Sequence, residues 1–422
     1  MCRPTLCATR AVPALLALLA SACACSARGE ADLIATCDGF ADYEWNAQQG
    51  HMLTGGGVAN REGAYAAFGA DELPHAALQR GEWLGAAWGD GAVVEGGDER
   101  SVGAASGAWA RSMFAGGALA DFSTRVFDVQ TARGAFVDVR VPPTRPDAEL
   151  RALKSLENAT ELQLRVLSRQ HAFAGVTRMD LVAGGETATR LHVADWNPPP
   201  RRTPNRFVVE PRPDGKAWTE VCAARDDRGY TAYIERWEAL PGGANGEAAG
   251  FLAMHRAAAA GAAPGGGSEA LLVVAGDHFA RAVAREVPLP RFGDAASTPS
   301  LASLVDEAFE RGDAARMRQL VSMEAAYGRV AANVAEGRGA WEVALCTHPW
   351  REGGPVWGHG ATATLGTERA TQRRVVRVQG GGATSDGDWV VLEDSLGEGG
   401  LERLVALIGA IKGKAAERPD EL

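Results

Sequence analysis

The chain has 422 residues, with Lys+Arg 43 against Asp+Glu 53 and a formal net charge of -10. That balance excludes the basic footprint of a nucleic-acid binder or of a protein held on an anionic membrane surface. A hydrophobic content of 46% and a charged content of 23% exclude disorder throughout, and the length allows two or three domains with cores of their own.

Residues 1–24 read as a signal peptide. Arg3 and Arg10 precede the short apolar run from Ala11 to Ala20, and the small residues Ser21 to Ala24 follow. The run is too short to span a bilayer, so the expectation is entry into the secretory pathway, extracellular or ER-lumenal, with no membrane span in the mature chain, and organelle targeting or a cytoplasmic location is the alternative. The chain finishes Pro419-Asp-Glu-Leu422, a partial match to an ER-retention signal. Residues 25–103 show no sustained periodicity and are expected to be an N-terminal extension. Four of seven Cys lie in or beside the leader, and Cys37, Cys222 and Cys346 are scattered, so neither a disulfide framework nor a Cys metal site is expected.

From about 104 strand signals become regular. Thr124 to Gln130 and Phe136 to Pro142 alternate on either side of Ala132-Arg-Gly134 and read as a hairpin. The second strand puts Phe136, Asp138 and Arg140 on one face and Val137, Val139 and Val141 on the other. Helical spacing follows over Pro146–Leu156, then strands over Leu162–Leu167, Thr189–Trp196, Arg206–Glu210, Trp218–Cys222 and Tyr230–Trp237, with an aromatic-Gly turn at Phe173–Gly175. This evenly punctuated pattern, over 104–240, describes a meandering antiparallel barrel. A Gly-rich linker at 241–250 leads to a second barrel at 251–396. There the segment from Phe279 to Pro288 repeats the alternation, a helix capped by Ser300 follows, Tyr327-Gly328 repeats the aromatic-Gly turn, and Trp350, 154 residues beyond Trp196, is its expected counterpart. A helix over Leu401–Ile411 and a tail complete 397–422. The expected fold class is thus all-β: two tandem antiparallel lipocalin-like barrels from an internal duplication, with short capping helices and a C-terminal helix.

No catalytic residue, metal ligand or cofactor site is readable. Serines lack a nucleophile elbow, and the His residues stand singly. His192 and His348 read as structural, and His278, at a hairpin, reads as exposed. The carboxylates Asp277 and Glu286, or Glu220 and Glu235, could pair, but nothing in the spacing fixes their distance. Candidate cavity-lining residues are Phe136, Arg140, Phe173, Trp196, Tyr327, Arg329 and Trp350. An inward Arg140 needs a counter-charge, supplied by Asp138 on its own face or by an anionic ligand. Asn158-Ala-Thr160 is a glycosylation sequon.

The segments Phe136–Pro142, His171–Gly175, Asp195–Pro199, Gly276–Phe279, Tyr327–Arg329 and His348–Gly353 resemble the Hri-type family, which is typified by a fungal casein-kinase-interacting protein and includes uncharacterised bacterial relatives. The resemblance spans roughly 120–395. It implies paired lipocalin-like barrels without assigned enzymatic activity. The functional expectation is a non-enzymatic protein that binds a small hydrophobic or amphipathic ligand in a barrel cavity. The alternatives are a protein-interaction scaffold with filled barrels, kinase-interacting as in that family, and an uncharacterised enzyme.

Overall fold

The computed structural model describes residues 102–409 apart from 117–118, 183–184, 199–204, 224–232, 244–249, 258–268, 293–297, 331–340 and 369–371. The leader, the N-terminal extension, Cys37 and the C-terminal tail lie outside the described residues.

The architecture is all-β, in two antiparallel units of common topology. The first contains β1 (Gly107–Gly116), β2 (Leu119–Asp121), β3 (Arg125–Gln130), β4 (Ala135–Val141), β5 (His171–Val182), β6 (Gly185–Asp195), β7 (Asn205–Pro211), β8 (Ala217–Cys222) and β9 (Ile234–Ala239). Its strands pair β1-β3-β4-β5-β6-β7-β8-β9, and β9 returns to β1, closing an eight-stranded barrel with β2 appended. The second contains β10 (Phe251–Arg256), β11 (Ala270–Ala275), β12 (His278–Val283), β13 (Glu324–Val330), β14 (Trp341–Cys346), β15 (Thr362–Thr367), β16 (Arg374–Gln379) and β17 (Gly387–Asp394). Here β17 returns to β10 as β9 does to β1, but β14 and β15 do not pair. The free edge of β14 is taken instead by the segment 353–356, through Val343 N–H to Gly354 O at 3.0 Å and Val356 N–H to Trp341 O at 2.9 Å.

Each unit inserts a pair of helices at the same point. Between β4 and β5 stand α1 (Asp147–Arg151) and α2 (Glu161–Ser168); between β12 and β13 stand α3 (Leu301–Glu310) and α4 (Ala314–Leu320). α5 (Gly400–Gly409) follows β17. The strand expected at Leu162–Leu167 is in fact α2. Thr160 and Gln163 form a reciprocal capping box there, and Leu164 and Leu167 are buried at helical spacing. The sequence pattern does not mark the strands β1, β10 and β15, and β12 stops at Val283, short of Pro288. Among the described residues no helix is long and apolar enough to cross a membrane.

The expected aromatic-Gly turns are bulges inside strands. The β5–β6 register shifts between Ala174 and Gly175, and the β13–β14 register between Tyr327 and Gly328. A Cβ at Gly175 would lie 1.9 Å from Leu191 O, and one at Gly328 2.0 Å from Glu342 O, so each bulge needs glycine for the close cross-strand approach. Phe136 faces Gly175 and Phe279 faces Gly328. Trp196 N–H bonds Ala172 O as Thr347 N–H bonds Ala325 O. The repeat therefore aligns Trp196 with Thr347 and not with Trp350.

The two units pack through the outer faces of equivalent strands. Val137, Val139 and Val141 share one core with Leu271, Val273, Ala280 and Ala282, and Phe127 stacks on Tyr327 with centroids 3.9 Å apart. The small Ala and Val side chains let two sheets approach closely, and each large apolar side chain removed from water contributes about 1.5–3 kcal/mol. Polar ties frame this core. Arg145 reaches Cys346 O and Glu352, each at 2.6 Å, and Arg165 and Arg169 of the α2 end hold Asp306 of α3.

Candidate functional site

Because the apolar face of β4 is spent on the neighbouring unit, its other face, Phe136, Asp138 and Arg140, points into the first barrel. The same alternation brings Asp128 from β3, Arg190 and His192 from β6, Trp218 and Glu220 from β8, and Glu235 and Trp237 from β9 to the interior. All are buried. The result is a charged barrel interior, in place of the usual apolar one.

Register sets two carboxylate pairs face to face, Asp128 opposite Asp138 and Glu220 opposite Glu235. Like charges directly opposite destabilise a sheet, and three arginines intervene. Arg140 holds Asp138 through Nε at 2.8 Å and Glu235 through Nη1 at 2.8 Å. Arg190 bonds Asp128 at 2.5 Å and approaches Asp138 at 3.5 Å. Arg111 of β1 joins Glu235 at 2.9 Å to Asp121 at 3.0 Å. The aromatic rings accept these cations on their faces: Arg190 lies 4.7 Å from the Phe136 centroid and Arg140 5.1 Å from that of Phe173.

Charges in this interior do not all survive. Burial, opposed by Arg190 and reinforced by Asp138, pushes the Asp128 carboxyl up to about 7. Burial and the facing Glu235 push Glu220 up to about 8. For Glu235 burial acts in the same direction, but Arg140 and Arg111 more than reverse it and hold the carboxyl below its usual range. Some of the orphaned polar atoms of the described residues fall among these same side chains, and others in the second unit, at Arg281, Trp341 and Trp357. Asp128 Oδ1, Glu220 Oε2, Arg190 Nε, Trp218 Nε1 and Trp237 Nε1 have no hydrogen-bond partner.

One end of the barrel is an aromatic floor. Trp218 stacks on Trp237 at 5.6 Å and meets Trp109 edge-on at 6.1 Å, while a short 3-10 turn at Gly103–Ala105 closes below, its Ala105 O accepting from Trp109 and Gln130. The opposite end is polar. There His192 Nδ1 lies 2.9 Å from Asp195 and its Nε2 3.3 Å from Asn205. Asn205 also meets the Tyr233 hydroxyl at 3.0 Å, which meets Glu220 at 2.8 Å.

Of the seven candidate lining residues the structure brings together Phe136, Arg140 and Phe173. The others fall elsewhere. Trp196 and Tyr327 lie in the core between the units, with the Trp196 indole donating to Ser168 O. Arg329 projects outward, its side chain 58% exposed and 3.9 Å from Asp277. Trp350, in the 3-10 turn Pro349–Arg351, stacks on His348 at 4.8 Å and packs against the Leu150–Val166–Leu167 cluster. His278 is buried and not exposed, because its ring bonds Tyr327 OH and Pro241 O across the unit boundary. Asn158 is exposed in a short turn, and Cys222 and Cys346 are buried and free.

Arg111, Asp128, Arg190 and the three floor tryptophans escaped the sequence reading. The available signal was the hairpin register: once Phe136 faces inward, Asp128 opposite Asp138 must do so too.

No protein-family model matches the chain, and no curated protein matches it. Among solved structures the chain is similar to the crystal structure of an uncharacterized protein from Saccharomyces cerevisiae, at 13% identity and a TM-score of 0.38, over 68% of this chain and 98% of that one.

Proposed function

We propose that the protein is a non-enzymatic two-barrel module that acts through its outer surface on a protein partner, with both interiors serving as filled supports. The observation behind this reading is how little accessible surface the interior side chains keep. A residue lining a water-sized void retains surface toward it, yet Phe136, Asp138, Phe173, Trp218, Glu235 and Trp237 show 0% exposure, and so do Phe279, Arg281, Trp341, Trp357 and Trp389 in the second unit. A protein partner also agrees with the interaction role that the Hri-type resemblance implies. Native mass spectrometry of the purified protein tests the reading: a mass equal to that of the polypeptide, alone or with a co-purifying protein, is expected, and a retained small molecule overturns it.

A second reading, a lipocalin-like carrier for a small amphipathic ligand, is favoured by the orphaned polar atoms of Asp128, Arg190, Trp218, Glu220 and Trp237, which a guest bearing donors and acceptors could satisfy. The same spectrum separates the two. Secretory entry, supported by the Arg3–Ala24 leader, predicts that the exposed Asn158 carries a glycan in a eukaryotic host, read as a mobility shift lost in Asn158→Gln.

A further inference from the structure

We propose that the row Asp195, His192, Asn205, Tyr233 and Glu220 is a proton-binding site that holds one hydrogen more than its neutral and ionised groups supply, and so ties the charged interior of the first barrel to its rim. Four contacts join the five side chains, at 2.9, 3.3, 3.0 and 2.8 Å in order, and each needs a hydrogen on its own axis. A neutral imidazole supplies one. The amide of Asn205 presents NH2 to one neighbour and its carbonyl to the other, and so supplies one. The Tyr233 hydroxyl supplies one. Three hydrogens cannot make four bonds between terminal carboxylates that are both ionised. A further proton must reside at Glu220, at His192 or at Asp195.

The geometry points to Glu220. With the Asn205 carbonyl toward Tyr233 and its NH2 toward His192, as found, the only complete pattern runs in one direction. Glu220 donates to Tyr233, Tyr233 to Asn205, Asn205 to His192 Nε2, and His192 Nδ1–H to Asp195. Placing the proton on His192 or Asp195 instead demands that the amide turn over.

The surroundings agree. Glu220 faces Glu235 on β9 and the apolar Val209 on β7, with Arg190 of β6 and Arg140 of β4 as the nearby cations. Both guanidiniums are already committed, Arg190 to Asp128 and Arg140 to Asp138 and Glu235. His192 stacks on Phe173 of β5 at 4.3 Å, and Phe136 of β4 meets it edge-on. At the far end Asp195 is partly exposed and accepts from Asn197 N–H, with Arg285 close by. A neutral acid is thus least costly at the buried end. When Glu220 releases its proton to solvent, Tyr233 donates to the Glu220 carboxylate, and Asn205 turns over to donate to Tyr233 and to accept from His192 Nε2–H, so the contact of His192 Nδ1 with Asp195 loses its hydrogen. The break falls at the partly exposed Asp195 end of the row, on the rim.

Long-range proton–nitrogen NMR of the full chain labelled at histidine reads the array directly. The His192 signals are identified by their loss in His192→Gln. Between pH 6 and 9 wild-type His192 is expected to begin as the neutral Nδ1–H form and to change form as the array loses its proton. In Glu220→Gln the new amide donates to Tyr233 permanently, so His192 should keep the Nδ1–H form across the range. In Tyr233→Phe the chain is cut, and His192 should cease to follow pH as the wild type does. A wild-type His192 that never changes, or a Glu220→Gln variant that changes as the wild type does, overturns the proposal. Should Tyr233→Phe fail to fold, Glu220→Gln decides alone.

Discussion

At equivalent places on β4 and β12 the first barrel carries Asp138 and the second Arg281, and the residues facing them across the hairpin are Asp128 and Leu272. The first interior continues as a lattice of carboxylates and arginines. The second continues as Leu252, Met254, Val274, Phe279, Val376 and Trp389, with Arg281 bonded to Glu324 and to Ser385. The outward faces show no such divergence. Val137 and Val139 on one side meet Ala280 and Ala282 on the other, small and apolar in both. One topology therefore tolerates opposite interiors, and what the two copies share is the surface by which they hold each other. An apolar strand face marks burial, but it does not say on which side of the sheet the barrel lies.

The sharpest way to break this comparison is to remove a cation from the charged interior. Arg140→Ala leaves Asp138 and Glu235 buried without it, and is expected to cost about 3–5 kcal/mol in urea denaturation, whereas Arg351→Ala, on a half-buried side chain, should cost about 1 kcal/mol. Matching midpoints for the two variants would refute the inward network.

The bulge glycines test the shared topology. Gly175→Ala and Gly328→Ala should each destabilise by about 1–3 kcal/mol and by similar amounts, since both Cβ atoms would collide with a backbone carbonyl. A tolerated substitution at either position shows that its bulge is not built as its counterpart is.

The pH response should separate Asp128 of the first unit from Glu324 of the second by sign. Asp128 in the folded state titrates near 7 against an ordinary 3.8, so the folded protein keeps a proton that the unfolded chain gives up. The associated stability is complete below about pH 4 and disappears as pH climbs through 7, a loss of about 2 kcal/mol from pH 5 to 8. Glu324 behaves inversely. Burial works to raise its carboxyl, but Arg281, His348 and Arg351 more than reverse this and hold it well below its ordinary 4.5. Its stabilisation is present above pH 4.5 and is lost as pH falls through the folded value. Chemical denaturation across pH should show Asp128→Asn flattening only the alkaline limb and Glu324→Gln only the acid limb; a variant that flattens the other limb contradicts the assignment. The smallest effect is expected at Arg329, whose exposed side chain should make Arg329→Ala neutral within about 0.5 kcal/mol. A larger loss of thermal midpoint would mean that its contact with Asp277 matters.

The sequence carried the strand alternation and the repeat, because period-two patterning and punctuation by Gly and Pro are local properties. Asp138 on the face of Arg140 was legible for the same reason. The site as a whole was not, since Arg190 meets Asp128, and Arg140 meets Glu235, only once eight strands close in a particular order. Helix α2 misled because Leu162, Leu164 and Val166 alternate as well as a strand would, and the deciding signal was the Thr160–Gln163 cap. Trp196 and Trp350 looked equivalent from spacing, yet the segment 353–356, inserted against β14, has no counterpart in the first unit, so residues beyond β14 no longer align.

The contact between the units brings β3 against β11 and β4 against β12, each strand meeting its own repeat. That is the self-complementary arrangement of a two-fold dimer, here written into one polypeptide. Tethering makes the encounter intramolecular, so cohesion of the halves is independent of dilution. Each half is consequently free to accumulate changes in its interior while the common face keeps the pair together.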